Sequence, residues 1–225
     1  MDVNYKFKLK PFNHQLEALK LGWDRKEFGL FMEMGTGKSK VLIDNMGMLY
    51  LRGAINFALV IAPKGVYRNW VSKEIPEHMS NDIPYRVIRW VASPNKSQQE
   101  EIRSVKDHFE GLTIFVMNVE SFSTPKGRNG GEWMARKLGA HGMIAIDEST
   151  TIKNHKAKRT KALMKIAADF KYRRLLTGSP ITKSPMDIFS THSKGDTLSW
   201  YARPWVHMHF NSLLDTATWM NSLQR

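Results

Sequence analysis

The sequence contains no cysteine, which excludes disulfides and thiolate metal sites and suits a reducing compartment. It has no apolar run approaching the ~18 residues of a membrane-spanning helix, and its amino terminus lacks the apolar core of a signal peptide. The eight histidines show no spacing typical of metal ligands. His207 and His209, two residues apart, could bind one metal only if they lay on a strand. We therefore expect a soluble cytoplasmic protein of bacterial or viral type, or a nuclear one in a eukaryote, without a membrane partner.

Acidic residues are scarce, with 21 Asp and Glu against 34 Lys and Arg, so that the formal net charge is +13. The basic residues do not lie along one amphipathic helix, and the excess therefore favours nucleic acid over a membrane as the polyanionic partner. A merely basic soluble protein stays an alternative. A length of 225 residues with 42% hydrophobic composition suits one sizeable α/β domain, whereas two full domains would be cramped.

Two nearby glycines, Gly35 and Gly37, follow a short apolar run and precede an apolar-periodic segment that predicts a helix. A strand, a glycine-rich loop and a helix form a phosphate-binding loop, in which backbone N–H groups and the helix dipole face a polyphosphate. Lys38 would add a positive charge for the outer phosphates, and Ser39 a hydroxyl for Mg²⁺. Met32 replaces the first glycine of the pattern G-x-x-x-x-G-K-[ST], so a glycine-rich turn that caps an ordinary helix is the alternative.

A second chemical signal is the acidic pair Asp147 and Glu148, which directly follows the apolar run 142–146. The carboxyl ends of parallel strands share one edge of a sheet, so the pair is expected beside the glycine loop. Asp147 would hold the water shell of a Mg²⁺ that Ser39 also touches, and Glu148 would deprotonate the water that attacks the terminal phosphate. Alone, such a pair is more typical of a helix cap; with the loop, it predicts nucleoside triphosphate hydrolysis.

Six apolar runs predict strands, and the intervening segments predict helices. The strands are expected at residues 30–32, 56–63, 85–90, 113–118, 142–146 and 174–178. Helices are expected at 41–51, 132–138 and 157–170, and another is expected to begin behind Asn13 as its cap. A further helix is expected after Pro63, with Val66, Trp70, Val71 and Ile75 facing inward. The polar link 93–100 is expected to lead into a charged helix that ends at about Phe109. The alternating pattern of 85–90 predicts an edge strand, and the turn formers of 123–131 predict a loop. Strands alternating with helices imply an α/β fold with a doubly wound, mainly parallel sheet and helices on both faces.

Four segments, taken in order, resemble the motifs of the first RecA-like lobe of superfamily-two helicases, and among these the Swi/Snf class of double-stranded DNA translocases. Residues 32–39 resemble the Walker A segment of that class, in which the first glycine is also commonly replaced. Residues 60–63 with Trp70 and Glu74-Ile75 are similar to its motif of a strand, a proline and a tryptophan in the next helix. Residues 147–154 resemble its DEAH-like box with a trailing Ile-Lys-Asn. Residues 176–181 resemble its Leu-Thr-Gly-Thr-Pro segment. The resemblance extends from residue 9 to residue 189.

The resemblance implies a P-loop ATPase that uses ATP and Mg²⁺ and acts on nucleic acid, with double-stranded DNA preferred and RNA as a weaker option. Gln15 would read the adenine edge, although it lies two residues farther from Pro11 than is usual in the class. Lys38, Asp147 and Glu148 would be catalytic, and Ser39 and Asp147 would hold the metal. The residues expected to bind the nucleotide are Gln15, Met34, Gly35, Thr36, Gly37, Lys38 and Ser39.

The resemblance also places residues near the nucleic acid. Thr177 and Ser179 would relay the state of the phosphate to the bound strand, and Lys64, Asn118 and Ser121 would lie near the DNA backbone. A basic run follows the acidic pair, and helical spacing puts Lys158, Lys161 and Lys165 on one face. That face would either contact phosphates or be an ordinary solvated surface.

The resemblance divides the chain into a RecA-like lobe at 1–189 and an aromatic-rich tail at 190–225 without a family match. A working translocase of this class has a second RecA-like lobe, in cis or in trans, that supplies arginines worth about 10³- to 10⁵-fold in rate. We find no second lobe in these residues and expect weak ATPase activity. The alternative is a standalone nucleotide- and nucleic-acid-binding module without motor activity.

Overall fold

The computed structural model of the protein describes residues 3–149 and 157–178. Six strands lie in this part of the chain: β1 (Glu27–Phe31), β2 (Phe57–Ala62), β3 (Tyr85–Arg89), β4 (Leu112–Asn118), β5 (Gly142–Ile146) and β6 (Tyr172–Thr177). They form one sheet in the order β1-β6-β5-β2-β4-β3, and all five neighbouring pairs are parallel. The predicted parallel, doubly wound sheet is confirmed.

Helices connect the strands. They are α1 (Asn13–Gly22), α2 (Lys38–Leu51), α3 (Tyr67–Asn69), α4 (Ile75–His78), α5 (Lys96–Arg103), α6 (Pro125–Leu138) and α7 (Lys158–Ala167). A π-helical segment, Trp70–Glu74, joins α3 to α4, and 3-10 turns occupy Ser104–Lys106, Val119–Ser123 and Gly139–His141. No helix in the described ranges has the length and apolar character needed to cross a membrane.

The sheet has a hydrophobic core on each face, because successive side chains of a strand point to opposite sides. Alternate residues of β2 (Ala58, Val60 and Ala62) pack in the core that α1, α2 and segment 67–78 cover. The intervening residues of β2 (Phe57, Leu59 and Ile61) pack in the second core, with α6 and α7. β2, β4 and β5 are therefore buried along their whole length, whereas β3 pairs only with β4 and is the predicted edge strand.

Three helix predictions need correction. Asn13 is the first residue of α1 and not its cap, because the extended residue Phe12 precedes it and the Phe12 N–H donates to Gln15 Oε1 (3.0 Å). Val66 is 40% exposed instead of facing inward, while Trp70 is buried as predicted. The charged helix α5 runs from Lys96, inside the predicted polar link, to Arg103. It begins at Lys96 because Asn95 and Gln98 form a capping box at its amino end.

The predicted loop at 123–131 is also wrong, because residues 125–131 form the first turns of α6. Thr124 Oγ1 accepts the Gly127 N–H at 3.1 Å, and Pro125 takes the first helical position, where its missing N–H costs nothing. A Cβ on Gly127 would collide with the carbonyl oxygen of Ser121. Gly127, and Gly131 beside the Phe122 ring, therefore allow the helix to pack closely on the turn after β4, and they do not reverse the chain.

Arg174 on β6 is buried on all sides (1% exposed) and connects α1 and α2 to the sheet through hydrogen bonds. Its guanidinium donates to oxygens at the carboxyl end of α1, in the loop before β1, in β6 and in α2. These acceptors are Gly22 O (3.2 Å), Trp23 O (3.3 Å), Lys26 O (3.3 Å), Arg173 O (2.9 Å) and Asn45 Oδ1 (2.9 Å). Burial lowers the pKa of Arg174 to about 9, so the group stays charged at pH 7.

Two alanine substitutions test whether residues 125–131 are helical. Gly130→Ala should raise the free energy of unfolding by about 0.5–1 kcal/mol, because alanine is the better helix former and a Cβ there meets the Trp90 ring at 3.4 Å, an ordinary contact. Gly127→Ala should lower it by about 1–3 kcal/mol through the collision with Ser121. Urea unfolding, monitored by circular dichroism, measures both changes. If neither substitution changed the free energy of unfolding, residues 125–131 would not be helical.

Removing the buried guanidinium should destabilise the protein. Arg174→Met leaves at least one buried carbonyl or amide oxygen without its charged donor, and the expected loss is about 3 kcal/mol in the free energy of unfolding. Arg25→Met is the matched control, because Arg25 is exposed in the loop after α1. Equal unfolding midpoints for the two variants would refute the role assigned to Arg174.

Candidate functional site

The glycine loop lies between the end of β1 at Phe31 and the start of α2 at Lys38. Gly35 and Gly37 both have left-handed backbone, with φ of 80° and 81°, a region that residues with a Cβ rarely adopt. Gly37 is the N-cap of α2 and offers no side-chain acceptor to the first N–H groups of that helix. These N–H groups and the positive end of the helix dipole can therefore serve an anion at the carboxyl edge of the sheet.

Lys38 is folded across the loop. Its side chain is 9% exposed, and Nζ donates to the carbonyl oxygens of Met32 (3.0 Å) and Glu33 (2.9 Å). Ser39, in the first turn of α2, is half-buried. The lysine charge is thus held inside the loop by two carbonyl oxygens, which a stronger anionic acceptor could replace.

Gln15 holds the loop from the side of α1. Its Nε2 donates to the carbonyl oxygen of Thr36 (2.9 Å), which also accepts from His14 Nε2 at 3.0 Å. Gln15 is only 3% exposed, so this polar side chain is buried and not a solvated surface glutamine. A Cβ on Gly37 would collide with the Gln15 amide, a second reason for glycine there. Adenine recognition by Gln15 stays a prediction. The sequence did not predict that Gln15 and His14 both form hydrogen bonds with the carbonyl oxygen of Thr36.

Behind the loop, α2 contains a buried ion pair. Lys40 Nζ and Asp44 Oδ2 are 2.6 Å apart, and the Tyr5 hydroxyl donates to the other oxygen of Asp44 at 3.0 Å. Burial raises the pKa of Asp44, and Lys40 opposes that change. The segment before α1 thereby holds the helix that carries the loop at its amino end.

The acidic pair lies at the end of β5. The Asp147 N–H donates to Ile61 O (2.8 Å) and extends the pairing of β5 with β2. One Asp147 oxygen, Oδ2, accepts from the indole Nε1 of Trp70 (2.9 Å), and the other, Oδ1, accepts from the Glu148 N–H (2.9 Å). Glu148 has φ 47°, the one positive φ outside glycine in the ranges 3–149 and 157–178, and such backbone strain clusters at functional sites.

Burial is the main cause that raises the pKa of Asp147. The hydrogen bond from Trp70 and the positive charge of Lys38 oppose the shift, whereas the neighbouring charge of Glu148 adds to it. The glycine loop follows β1 and Asp147 follows β5, and both strands lie in one parallel sheet, so the lysine and the carboxylate lie at the same edge. The structure brings these two predicted groups together.

The end of β6 contacts the glycine loop. Thr177 is buried and lies opposite Phe31 in the pairing of β1 with β6. A Cβ on the following residue, Gly178, would lie 3.0 Å from the Met34 side chain, which is itself 83% exposed. The next predicted coupling residue, Ser179, lies outside the described residues.

The residues expected near DNA are divided between surface and interior. Lys64 is exposed after β2, and its backbone N–H is 3.4 Å from Glu120 Oε1. Asn118 and Ser121 are buried, and Asn118 Oδ1 accepts from both the N–H (2.8 Å) and the hydroxyl (2.9 Å) of Ser121. Their side chains thus build the turn after β4, and a direct contact with nucleic acid stays a prediction for all three.

The predicted basic face is present on α7, where Lys158, Lys161 and Lys165 are all exposed. Lys165 Nζ lies 3.2 Å from Glu132 on α6, so this lysine already has a carboxylate partner. The two interpretations of this face, phosphate contact and solvated surface, both stay open. The basic residues at 153–156, the two histidines at 207 and 209 and the predicted tail at 190–225 lie outside the described residues.

Comparison of the sequence with known proteins finds a matching family model and relatives among ATP-dependent helicases. A family model of the SNF2-related domain matches residues 14–191. The chain is 28% identical over 158 residues to the ATP-dependent helicase fft1 of Schizosaccharomyces pombe, and 26% identical over 194 residues to the probable ATP-dependent DNA helicase CHR12 of Arabidopsis thaliana. These matches cover 70% and 84% of this chain but only 15% of each relative.

Two solved structures share the fold. The Sulfolobus solfataricus SWI2/SNF2 ATPase core in complex with double-stranded DNA superimposes with a TM-score of 0.61 at 20% identity, over 89% of this chain and 37% of that one. The UvsW helicase from bacteriophage T4 gives a TM-score of 0.53 at 15% identity, over 81% of this chain and 57% of that one. The predicted RecA-like fold class is confirmed.

Gln15 should control the mobility of the glycine loop. Gln15→Met keeps the length of the side chain but removes the bonds to Thr36 and Phe12, a loss of about 1 kcal/mol or more. Hydrogen exchange of the amides at residues 33–38 should then accelerate by about fivefold, because local opening becomes easier. Gln99→Met, on exposed α5, is the control. Unchanged exchange in Gln15→Met would show that the loop does not depend on this residue.

Proposed function

The chain belongs to the SNF2-related domain family, and from this premise we propose that it is the ATP-binding lobe of a DNA-dependent ATPase or translocase of the superfamily-two helicase type. One observation carries the proposal: the glycine loop with its buried Lys38 and the carboxylate pair Asp147 and Glu148 lie at the same edge of the sheet. The chain spans about 15% of the length of the helicases it matches, so the activity, substrate and partners of a complete protein are all part of the proposal.

The nucleotide phosphates would lie over the glycine loop, against the N–H groups at the start of α2. Lys38 Nζ would exchange the carbonyl oxygens of Met32 and Glu33 for phosphate oxygens, which accept stronger, charge-assisted hydrogen bonds. Gln15 can meet an adenine edge without releasing the loop, because its Nε2 has a second hydrogen and its Oε1 a second lone pair. Met34, Gly35, Thr36 and Gly37 complete the proposed nucleotide site.

The proposed metal is Mg²⁺. The ligand types fit, since the Ser39 hydroxyl and the Asp147 carboxylate offer hard oxygen atoms, and Mg²⁺ in nucleotide sites binds to few protein oxygens and keeps several waters. When bound, the ion would neutralise charge on the phosphate oxygens. Glu148 would accept the proton of the attacking water.

Nucleic acid is the proposed macromolecular partner, with double-stranded DNA as the preferred form. A net charge of +13 supports a polyanionic partner, and the related Sulfolobus ATPase core was solved with double-stranded DNA. Lys64 lies after β2, Asn118 is the last residue of β4 and Ser121 lies after it, and these three are the proposed backbone contacts. Thr177 and Ser179 would couple phosphate and DNA. The proposed lobe comprises residues 1–189 and would work with a second RecA-like lobe, in cis or in trans.

Nucleotide binding by the purified chain tests the proposal, because it needs only the groups placed at this site. A fluorescent ATP analogue is titrated with Mg²⁺ against wild type, Lys38→Ala and the control Lys20→Ala, which removes an exposed lysine from α1. Lys38→Ala should weaken binding about 10- to 150-fold, because it removes charge-assisted hydrogen bonds worth ~1.5–3 kcal/mol. The control should bind as wild type. A wild-type protein that binds no nucleotide would refute the proposal.

Glu148→Gln separates binding from hydrolysis in the same experiment. The variant should bind the analogue as tightly as wild type, while ATP turnover falls by about 10²- to 10⁴-fold, the usual contribution of a general base. Turnover is measured with and without duplex DNA. Binding that persists without any turnover in wild type would favour the module without motor activity.

A further inference from the structure

Trp70 begins the π-helical segment Trp70–Glu74, between α3 and α4, and is 2% exposed. Although it is 77 residues away in sequence, its indole Nε1–H donates to Asp147 Oδ2 at 2.9 Å. π-helical turns are rare and are frequent at functional sites. Here, the π-helical segment begins at the residue whose indole, in the chain after β2, contacts the carboxylate at the end of β5.

The chemistry of the indole matters. It has a single N–H donor, no acceptor and no charge, and a ring buried in the core cannot turn away. A lysine or arginine in its place would neutralise Asp147 and compete with a cation for it, whereas an indole orients the carboxylate and leaves its negative charge intact. The other oxygen, Oδ1, is held by the Glu148 N–H at 2.9 Å. Both oxygens are thus fixed in direction, and each keeps one lone pair unused by these bonds.

We propose that Trp70 is a positioning residue for the metal of the nucleotide site: its N–H holds Asp147 in the orientation that receives the hydration shell of Mg²⁺. This inference rests on the proposed function. Outer-shell partners of metal ligands are typically worth 10- to 100-fold in metal affinity, because they fix the ligand before the metal arrives. Trp70 would therefore set how much Mg²⁺ the site requires, and not how tightly it holds a nucleotide without metal.

The test compares Trp70→Phe with Trp90→Phe. Both variants shorten a buried tryptophan to a smaller ring, but Trp90 lies in the second core, against Phe115, and has no contact with Asp147. Binding of the fluorescent ATP analogue is measured in excess EDTA and then as a function of Mg²⁺ concentration. Trp70→Phe should bind as wild type in EDTA and need about tenfold more Mg²⁺ to reach the metal-dependent affinity. Trp90→Phe should match wild type in both conditions.

The outcomes separate this inference from the proposed function. An unchanged Mg²⁺ requirement in Trp70→Phe, in a wild type that does bind nucleotide, overturns the inference alone. Equal weakening with and without Mg²⁺ also overturns it, because that is the effect of a merely structural residue. A wild type that binds nucleotide in neither condition overturns the proposed function and this inference with it. If Trp70→Phe does not fold, benzothienylalanine at position 70 keeps the ring shape, lacks only the N–H, and should show the same tenfold shift.

Discussion

The arrangement of the proposed site depends on one constraint: strands that run parallel end at the same edge of their sheet. β1, β5 and β6 are neighbours, and their ends carry the glycine loop, the acidic pair and Thr177. No local sequence feature brings these groups together. The parallel pairing does so, and it also requires helical crossovers that cover both faces, which accounts for the unbroken apolar composition of the central strands.

The parts of the structure that sequence predicts well are those that a short window defines. The run 142–146 is β5 residue for residue, because a central strand is apolar on both faces, and the two glycines with Lys38 mark the loop that β1 and α2 enclose. The segment 125–131 was mispredicted because Gly127 is required by the close approach of Ser121, a tertiary contact that composition does not show. Propensity describes a residue alone, and tertiary packing overrides it.

The interactions that shape the site are long-range, and this is why sequence could not predict them. Gln15 bonds to Thr36, Trp70 to Asp147, and Arg174 to Asn45, each across a different pair of elements. In every case a polar side chain that a pattern would place on the surface, or in a featureless core, satisfies a specific buried partner. The groups proposed to act on a nucleotide are thus already oriented by their own chain, which lowers the entropic cost of ordering them on binding.

The order of the sheet has a consequence for biosynthesis. β1 pairs with β6 in the described sheet, and the two strands are separated by 140 residues of chain (Phe31 to Tyr172). β2 to β5 can assemble among themselves as β5-β2-β4-β3 while the chain is still being made, but β1 has no neighbour in that sheet until β6 leaves the ribosome. We therefore expect the glycine loop to take its place late, and a nascent chain released before residue 172 would carry the loop and the acidic pair without the strand that joins them.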